Sequence, residues 1–426
     1  MPSPALERET IEVLTGSDAG ELLRLAVIGS TRSGPPGRHA SADASTETVT
    51  DWRAEVDSVH HRPGAGVSVG YRVSYAVAGV PVSEYLVAST AQVPDGRGVA
   101  VLQDGVRTVR VWRRAQDPLL PGLEQALDPA TVGGWLQEVG VGDGAPARLQ
   151  LLSYRPTRRA VIRAVVGEVT TFLKVLPERR ARRLERRHRL LEAPQHRAPQ
   201  VLARPLPTTL VIASADGRPL AEAIAAARTH PDGLPDPSEV VAWLDRLPEG
   251  VLELGARSSW VDRIDFHAAA ARGALPDQSA RIDAIESGVE SLLAERPTGP
   301  TVPTHGDFYE ANIFTADGRV SAVIDLDSLG PGLREDDLAT LLGHLAVLRS
   351  LAPTIYPHGD ELVIEWFEVL ARTCDPAALA ARVAGVVLSL VAGTTPDLAA
   401  ERLATAEEWF GRAQQLAAAA PEMEHG

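Results

Sequence analysis

Apolar and polar positions alternate with a period of two through Val67, Val69, Tyr71, Val73, Tyr75 and Val77, a pattern that predicts a half-buried strand. Val80–Val87 follows directly after Gly79. Val99–Leu102 and Val106–Trp112 flank Asp104-Gly105, a dipeptide suited to a tight hairpin turn. Residues 50–115 therefore read as a small antiparallel sheet. The stretch before it, 31–48, is rich in Ser, Gly, Pro and Ala and reads as a mobile loop. Asp117–Gly122 ends the sheet, and helical periodicity follows at Leu123–Leu127 and Val132–Val139.

A second strand-rich block comprises Arg148–Tyr154, Ala160–Val166 and Thr170–Val175, with Pro156 and Gly167 at the turns. An Arg-rich segment, Glu178–Leu191, places Leu184, Leu190 and Leu191 on one side of a helix. Leu206–Ala213 reads as one further strand, stopped by Asp216-Gly217-Arg218-Pro219. Beyond it the pattern is helical, Trp366 and Trp409 included as packing residues, except around 302–326. Pro421–Gly426 is expected to fray. No internal repeat is evident. The class is α+β, in three parts: 1–145, a cap-like domain with an antiparallel sheet; 146–215, a strand-rich lobe; and 216–426, a helical lobe.

Composition narrows the function. At 426 residues two or three domains are expected, and the 44% hydrophobic content suffices for their cores. The 42 basic and 56 acidic residues leave a charge of −14, which disfavours nucleic acid as a partner. One cysteine, Cys374, excludes an internal disulfide and a four-cysteine zinc site. His60 and His61 point to opposite faces of a strand and cannot share an ion. The N-terminus lacks a basic start followed by an apolar run, and no apolar stretch is long enough to span a bilayer. A soluble cytoplasmic protein with no membrane partner is expected.

The chemistry concentrates in Thr304-His305-Gly306-Asp307-Phe308-Tyr309-Glu310-Ala311-Asn312-Ile313-Phe314, followed by Val323-Ile324-Asp325-Leu326-Asp327, then Gly330-Pro331-Gly332 and Asp336-Asp337-Leu338-Ala339. Phosphoryl transfer needs a group to orient the attacking hydroxyl and accept its proton, and oxygen ligands for Mg²⁺ at the triphosphate. A loop carrying Asp307 and Asn312, with Asp325 at the end of an apolar strand, supplies those residue types. A turn at Asp317-Gly318-Arg319 would fold the two segments into a hairpin and bring Asn312 close to Asp325.

These residues resemble the aminoglycoside phosphotransferase and choline kinase family, relatives of the protein kinases. That family's pattern is His-Gly-Asp, four residues, Asn, an Ile-Asp strand end, then Gly and Asp-Leu-Ala. The resemblance implies a two-lobed protein-kinase-like fold preceded here by an extra small β-rich domain. It implies Asp307 as catalytic base, Asn312 and Asp325 as Mg²⁺ ligands, His305 and Gly306 as shapers of the loop, and Asp337 as its structural support. Lys174, in a Thr170–Val175 strand like the family's third, is the only lysine among the 42 basic residues and would meet the phosphates. Glu185 would be its partner on the next helix, with Glu178 and Glu192 as competitors. A Gly-x-Gly-x-x-Gly loop is absent. The matching turn is Tyr154–Arg159, where Arg158 or Arg159 would contact phosphate, and Ala213, Ser214 and Ala215 would present backbone to the base. Asp327 is expected to share a strand face with Asp325, and Glu310 to reach a polyhydroxyl or amino acceptor.

The implied function is transfer from ATP or GTP, with Mg²⁺, to a hydroxyl of a sugar, amino sugar, aminoglycoside-like molecule or amino alcohol. The N-terminal domain and Tyr154-Arg155-Pro156 are similar to the layout of maltokinase-like members, although Ala311-Asn312 stands where those usually have Gly-Gln. The alternatives are a peptide Ser/Thr kinase and a pseudokinase scaffold in a biosynthetic pathway.

Overall fold

A computed structural model describes residues 4–31, 49–62, 64, 66–94, 96, 98–103, 107–227 and 234–419. The stretch 32–48, the Asp104-Gly105 turn and the Pro421–Gly426 tail lie outside the described residues. The chain divides into two compact units, Met1–Arg183 with Val201–Ser214, and Leu184–Gln200 with Ala215–Gly426.

The first unit opens with two helices, α1 (Pro4–Thr15) and α2 (Ala19–Thr31), which the strand-like pattern downstream did not announce. They cover an antiparallel sheet of β1 (Val49–Arg62), β2 (Gly66–Val77), β3 (Val80–Ser89), β4 (Val99–Gln103) and β5 (Thr108–Arg113), in the order β1-β2-β3-β5-β4. From Tyr71 to Tyr75 the alternation read in β2 is a burial alternation, whereas Gly66–Tyr71 is buried on both faces. Val67, Val69, Tyr71 and Val73 are all at most 1% exposed and pack with Leu14 and Leu23 of the two helices. The Tyr71 hydroxyl donates to the Leu14 carbonyl at 2.5 Å, so the ring brings a partner for its polar end into the core.

Two short helices, α3 (Leu123–Ala126) and α4 (Pro129–Glu138), lead to a second antiparallel sheet. Asp128 caps α4 by accepting from the Thr131 amide at 2.7 Å. The strands are β6 (Arg148–Arg155), β7 (Arg159–Val166), β8 (Val169–Val175), β9 (Val201–Leu206) and β10 (Thr209–Ala213), ordered β6-β7-β8-β10-β9. The strand expected over Leu206–Ala213 is thus a strand pair, β9 and β10, turning at Pro207-Thr208. Helix α5 (Glu178–Leu190) lies between β8 and β9 in sequence. The core of this sheet draws on Leu120, Leu123, Val132 and Leu136 as well as on Ala160, Ile162, Leu173 and Val211. One face of the sheet is therefore closed by residues that precede position 146. The two sheets share one strand order, although no sequence repeat relates them.

The second unit is mostly helical: α6 (Leu220–Ala227), α7 (Ser238–Asp245), α8 (Ile264–Ala274), α9 (Ser279–Ala294), α10 (Arg334–Ala346), α11 (Leu348–Leu351), α12 (Gly359–Leu370), α13 (Pro376–Ser389) and α14 (Pro396–Ala419). Its centre is α13, capped by Asp375 and buried along nearly its whole length against α8, α9, α10 and α14. The small strands of this unit are β11 (Arg218–Pro219), β12 (Val302–Thr304), β13 (Ile313–Ala316), β14 (Arg319–Val323) and β15 (Gly330–Gly332). The elements form the α+β class expected, with sheet-rich parts before a helical one.

Candidate active site

The loop between β12 and β13 carries Asp307 and is held from below. Both oxygens of Asp337, near the start of α10, accept loop amides: Oδ2 from His305 and Oδ1 from Gly306, each at 2.7 Å. Asp337 is 1% exposed. Burial pushes its carboxyl up to about 7, opposed by these two amide donors and by the Arg334 charge. β12 pairs with β15, which returns the chain to this place just before α10 begins.

His305 is fully buried, and its tautomer follows from its contacts. Nε2 lies 2.9 Å from the Ile324 carbonyl, which can only accept, so Nε2 carries the proton and Nδ1 is left to accept the Asp307 amide at 3.3 Å. Phe308 and His305 pack with Trp243, whose indole lies 5.7 Å from the Phe308 ring and donates to the His196 carbonyl at 2.8 Å. Gly306 has φ +78, and a Cβ there would meet the Ser328 carbonyl oxygen at 2.6 Å, so no other residue fits without a shift.

The hairpin of β13 and β14 turns at Asp317 and Gly318, both with positive φ, as a two-residue hairpin loop requires. At its open end the Ile324 amide donates to the Asn312 carbonyl at 2.9 Å, which sets Asn312 beside the segment carrying Asp325. Asn312 Nδ2 donates to the Asp307 carbonyl at 2.9 Å, so its Oδ1 is turned away from that contact. Asp325 itself sits at φ 62, ψ 54, a left-handed conformation rare outside glycine, which the surrounding hairpin and His305 contact hold in place. Asp307, Asn312 and Asp325 are thus brought to one corner of the second unit. Leu326–Ser328 forms a 3₁₀ turn, so Asp327 does not share a strand face with Asp325, contrary to the expectation.

An oxygen-only pair fits Mg²⁺, which is commonly held by one or two side chains, with waters and phosphate oxygens completing the octahedron. Among the described residues no cluster of three or more His, Cys, Asp or Glu ligands occurs.

Glu310, expected near an acceptor, is only 7% exposed. Its Oε2 has no hydrogen-bond partner and lies 3.8 Å from Nδ1 of His344, which stacks on Tyr309 with ring centres 4.4 Å apart. Burial raises the Glu310 carboxyl to about 7 and lowers His344 to about 4. The two are therefore not a fully charged pair at neutral pH.

Sequence reasoning missed Trp243 and Arg257. Arg257 donates to Ser328 Oγ at 2.6 Å and to the Asp327 carbonyl at 3.2 Å, beside a cavity of ≈ 30 Å³ that Trp260, Gly306 and Ser328 also line. Neither residue belongs to a motif, and only the fold brings them to the loop.

The remaining expected residues lie on other elements. Lys174 stands on β8 opposite Val161 of β7 and Leu210 of β10, on the strand face away from Leu173 and Val175 and hence away from the core beneath α3 and α4. Arg158 is in the β6–β7 turn, and Ala213 ends β10 opposite Thr171. Ser214 closes the first unit and Ala215 opens the second. Glu185, on α5, accepts from Arg189 at 2.6 Å and is counted with the second unit, Lys174 with the first.

Residues 169–366 match the model of the phosphotransferase enzyme family. The match is confined to this segment. It spans somewhat less than half of the chain, and it contains Lys174, Glu185, Asp307, Asn312, Asp325 and Asp337. No curated protein matches the chain in sequence. Solved structures similar to it include a thermostable mutant of aminoglycoside phosphotransferase APH(4)-Ia in ternary complex with AMP-PNP and hygromycin B, at 17% identity over 68% of this chain and 99% of that one, TM-score 0.47. Another is macrolide 2'-phosphotransferase MphH from Brachybacterium faecium, at 18% identity over 61% and 97%, TM-score 0.35. A choline/ethanolamine kinase family protein from Mesorhizobium loti is 20% identical over 65% and 89%, TM-score 0.40. Among the described residues no helix is long and apolar enough to cross a membrane.

Proposed function

We propose that the chain is a nucleoside-triphosphate-dependent phosphotransferase that acts on a hydroxyl of a small molecule in the cytoplasm. The observation that carries this reading is the Asp307–Asn312–Asp325 corner, built on Asp337 within the phosphotransferase-family segment. In this reading Asp307 accepts the proton of the attacking hydroxyl and orients its oxygen. Asn312 Oδ1 and the Asp325 carboxylate hold Mg²⁺, which supplies charge neutralisation at the triphosphate. Lys174 meets the phosphates with Glu185 as its partner, Arg158 adds a second cation, and Ala213, Ser214 and Ala215 present backbone to the base of ATP or GTP. Residues 146–215 and 216–426 then serve as the two lobes, with 1–145 as a cap-like domain. The acceptor classes are sugars, amino sugars, aminoglycoside-like molecules and amino alcohols.

The test is nucleotide turnover with Mg²⁺ against a panel of those acceptors, beside Asp307→Ala. Acceptor-dependent release of nucleoside diphosphate, lost in the variant, supports the reading. Turnover at the wild-type rate in the variant overturns it. Nucleotide binding without turnover on any acceptor would favour a peptide Ser/Thr kinase or a pseudokinase scaffold.

A further inference from the structure

On the phosphotransferase reading above, the β6–β7 turn is the one that would cover the triphosphate, and it contains no glycine. In the turn Arg155-Pro156-Thr157-Arg158 the Arg158 amide donates to the Arg155 carbonyl at 3.0 Å. Thr157, third in the turn, has φ +62. Turns with a left-handed residue after proline take Gly or Asn there, and a β-branched residue in that region is an outlier that needs a compensating contact.

The compensating contact comes from earlier in the same compact unit. Asp117 lies in the segment leaving β5 and is 1% exposed. Its Oδ2 accepts the Thr157 amide at 2.8 Å and the Tyr154 hydroxyl at 2.8 Å, and its Oδ1 accepts the Leu119 amide at 3.0 Å. Trp112, on β5 of the first sheet, directs Nε1 at the Tyr154 hydroxyl at 3.4 Å and packs with Val87 and Val93 beneath it. Every one of these contacts lies within the first compact unit. Burial raises the Asp117 carboxyl, and the donors from Thr157, Tyr154 and Leu119 oppose that shift. One oxygen of the carboxylate, Oδ2, thus serves Tyr154 and the turn, 37 and 40 residues away, while Oδ1 serves its own segment at Leu119.

A glycine-rich loop is adaptable because its residues tolerate many conformations, and it orders around phosphate at an entropic cost. A turn already pinned in one shape avoids that cost. We infer that Asp117 is a positioning residue for the nucleotide: with Tyr154 it holds the Thr157 turn, and so Arg158, ready for the triphosphate, and it makes the N-terminal domain part of the nucleotide site. This rests on the phosphotransferase reading above.

The test uses the full chain and an N-methylanthraniloyl ATP analogue with Mg²⁺. Asp117→Asn keeps the shape but replaces one acceptor oxygen with a donor, and about a tenfold weaker binding is expected, the scale of one charge-assisted hydrogen bond. Adding Thr157→Gly to that variant should restore part of the affinity, because glycine adopts φ +62 without the anchor, although the ordering cost that the anchor avoids remains. A purely structural role for Asp117 would not produce that rescue. Tyr154→Phe, which keeps the ring packing, should weaken binding by about threefold and carries the test if Asp117→Asn fails to fold. Wild-type affinity in Tyr154→Phe and in a folded Asp117→Asn overturns this inference alone. Failure of the wild-type chain to bind the analogue overturns the phosphotransferase reading, and this inference with it.

Discussion

The two carboxylate oxygens of Asp337 each accept one amide of the loop that carries Asp307, from His305 and from Gly306, at 2.7 Å. One buried side chain on α10 thereby satisfies two amides of the sharp bend at Gly306. The position of the expected base depends on this residue although it is remote from the chemistry itself.

Asp337→Asn replaces one acceptor oxygen with a donor facing an amide. The expected cost is about 3 kcal/mol of stability, with lost turnover in the molecules that remain folded. Urea unfolding and acceptor-dependent turnover measured side by side check this; an unchanged unfolding midpoint would refute it.

Asp307→Asn should leave the unfolding midpoint and nucleotide binding close to wild type while lowering kcat by about a thousandfold, since it removes the proton acceptor and little packing. Rapid-quench or coupled turnover assays measure the first, calorimetry the second.

Asp325 is left-handed at φ 62. Asparagine tolerates that conformation, so Asp325→Asn isolates the charge from the backbone. Mg²⁺-dependent nucleotide binding should weaken by about tenfold or more, while binding without Mg²⁺ changes little. A Mg²⁺ titration of nucleotide affinity decides the matter.

Burial holds Glu310 at about 7, above its ordinary 4.5. A carboxyl raised in the folded state contributes stability that is complete below the unfolded value and is lost as pH rises through the folded one. Glu310→Gln should therefore be more stable than wild type by about 2 kcal/mol near pH 8, with the gap closing below about pH 4.5. Asp336 and Asp337, raised to about 6 and about 7, titrate in the same window, so the difference between the two proteins, and not the wild-type slope, is the quantity to measure.

Much of the fold was legible because it is locally encoded. The period-two run Val67–Val77 became β2, and the apolar runs at 148–154, 160–166 and 170–175 became β6, β7 and β8. Asp317-Gly318 announced its hairpin through the positive φ that these residues tolerate. Helices α1 and α2 escaped notice because their apolar faces are defined only by the sheet they cover, and β9 was merged with β10 across Pro207. Asp327 was misplaced because alternation was extended past the end of β14, where the chain turns at Asp325 instead.

The sequence by itself determined the chemistry on offer: an Asp, an Asn and a second Asp at fixed spacings around a hairpin, and one lysine in an apolar strand. Spacing along a chain constrains what a hairpin and a loop can bring together, and so that corner could be read in advance. Only the tertiary structure decided what holds it. Asp337 reaches His305 and Gly306 from 32 and 31 residues away, and Asp117 reaches Thr157 across 40. A hydrogen bond of that range leaves no period in the sequence, because its two ends meet only after separate elements have packed.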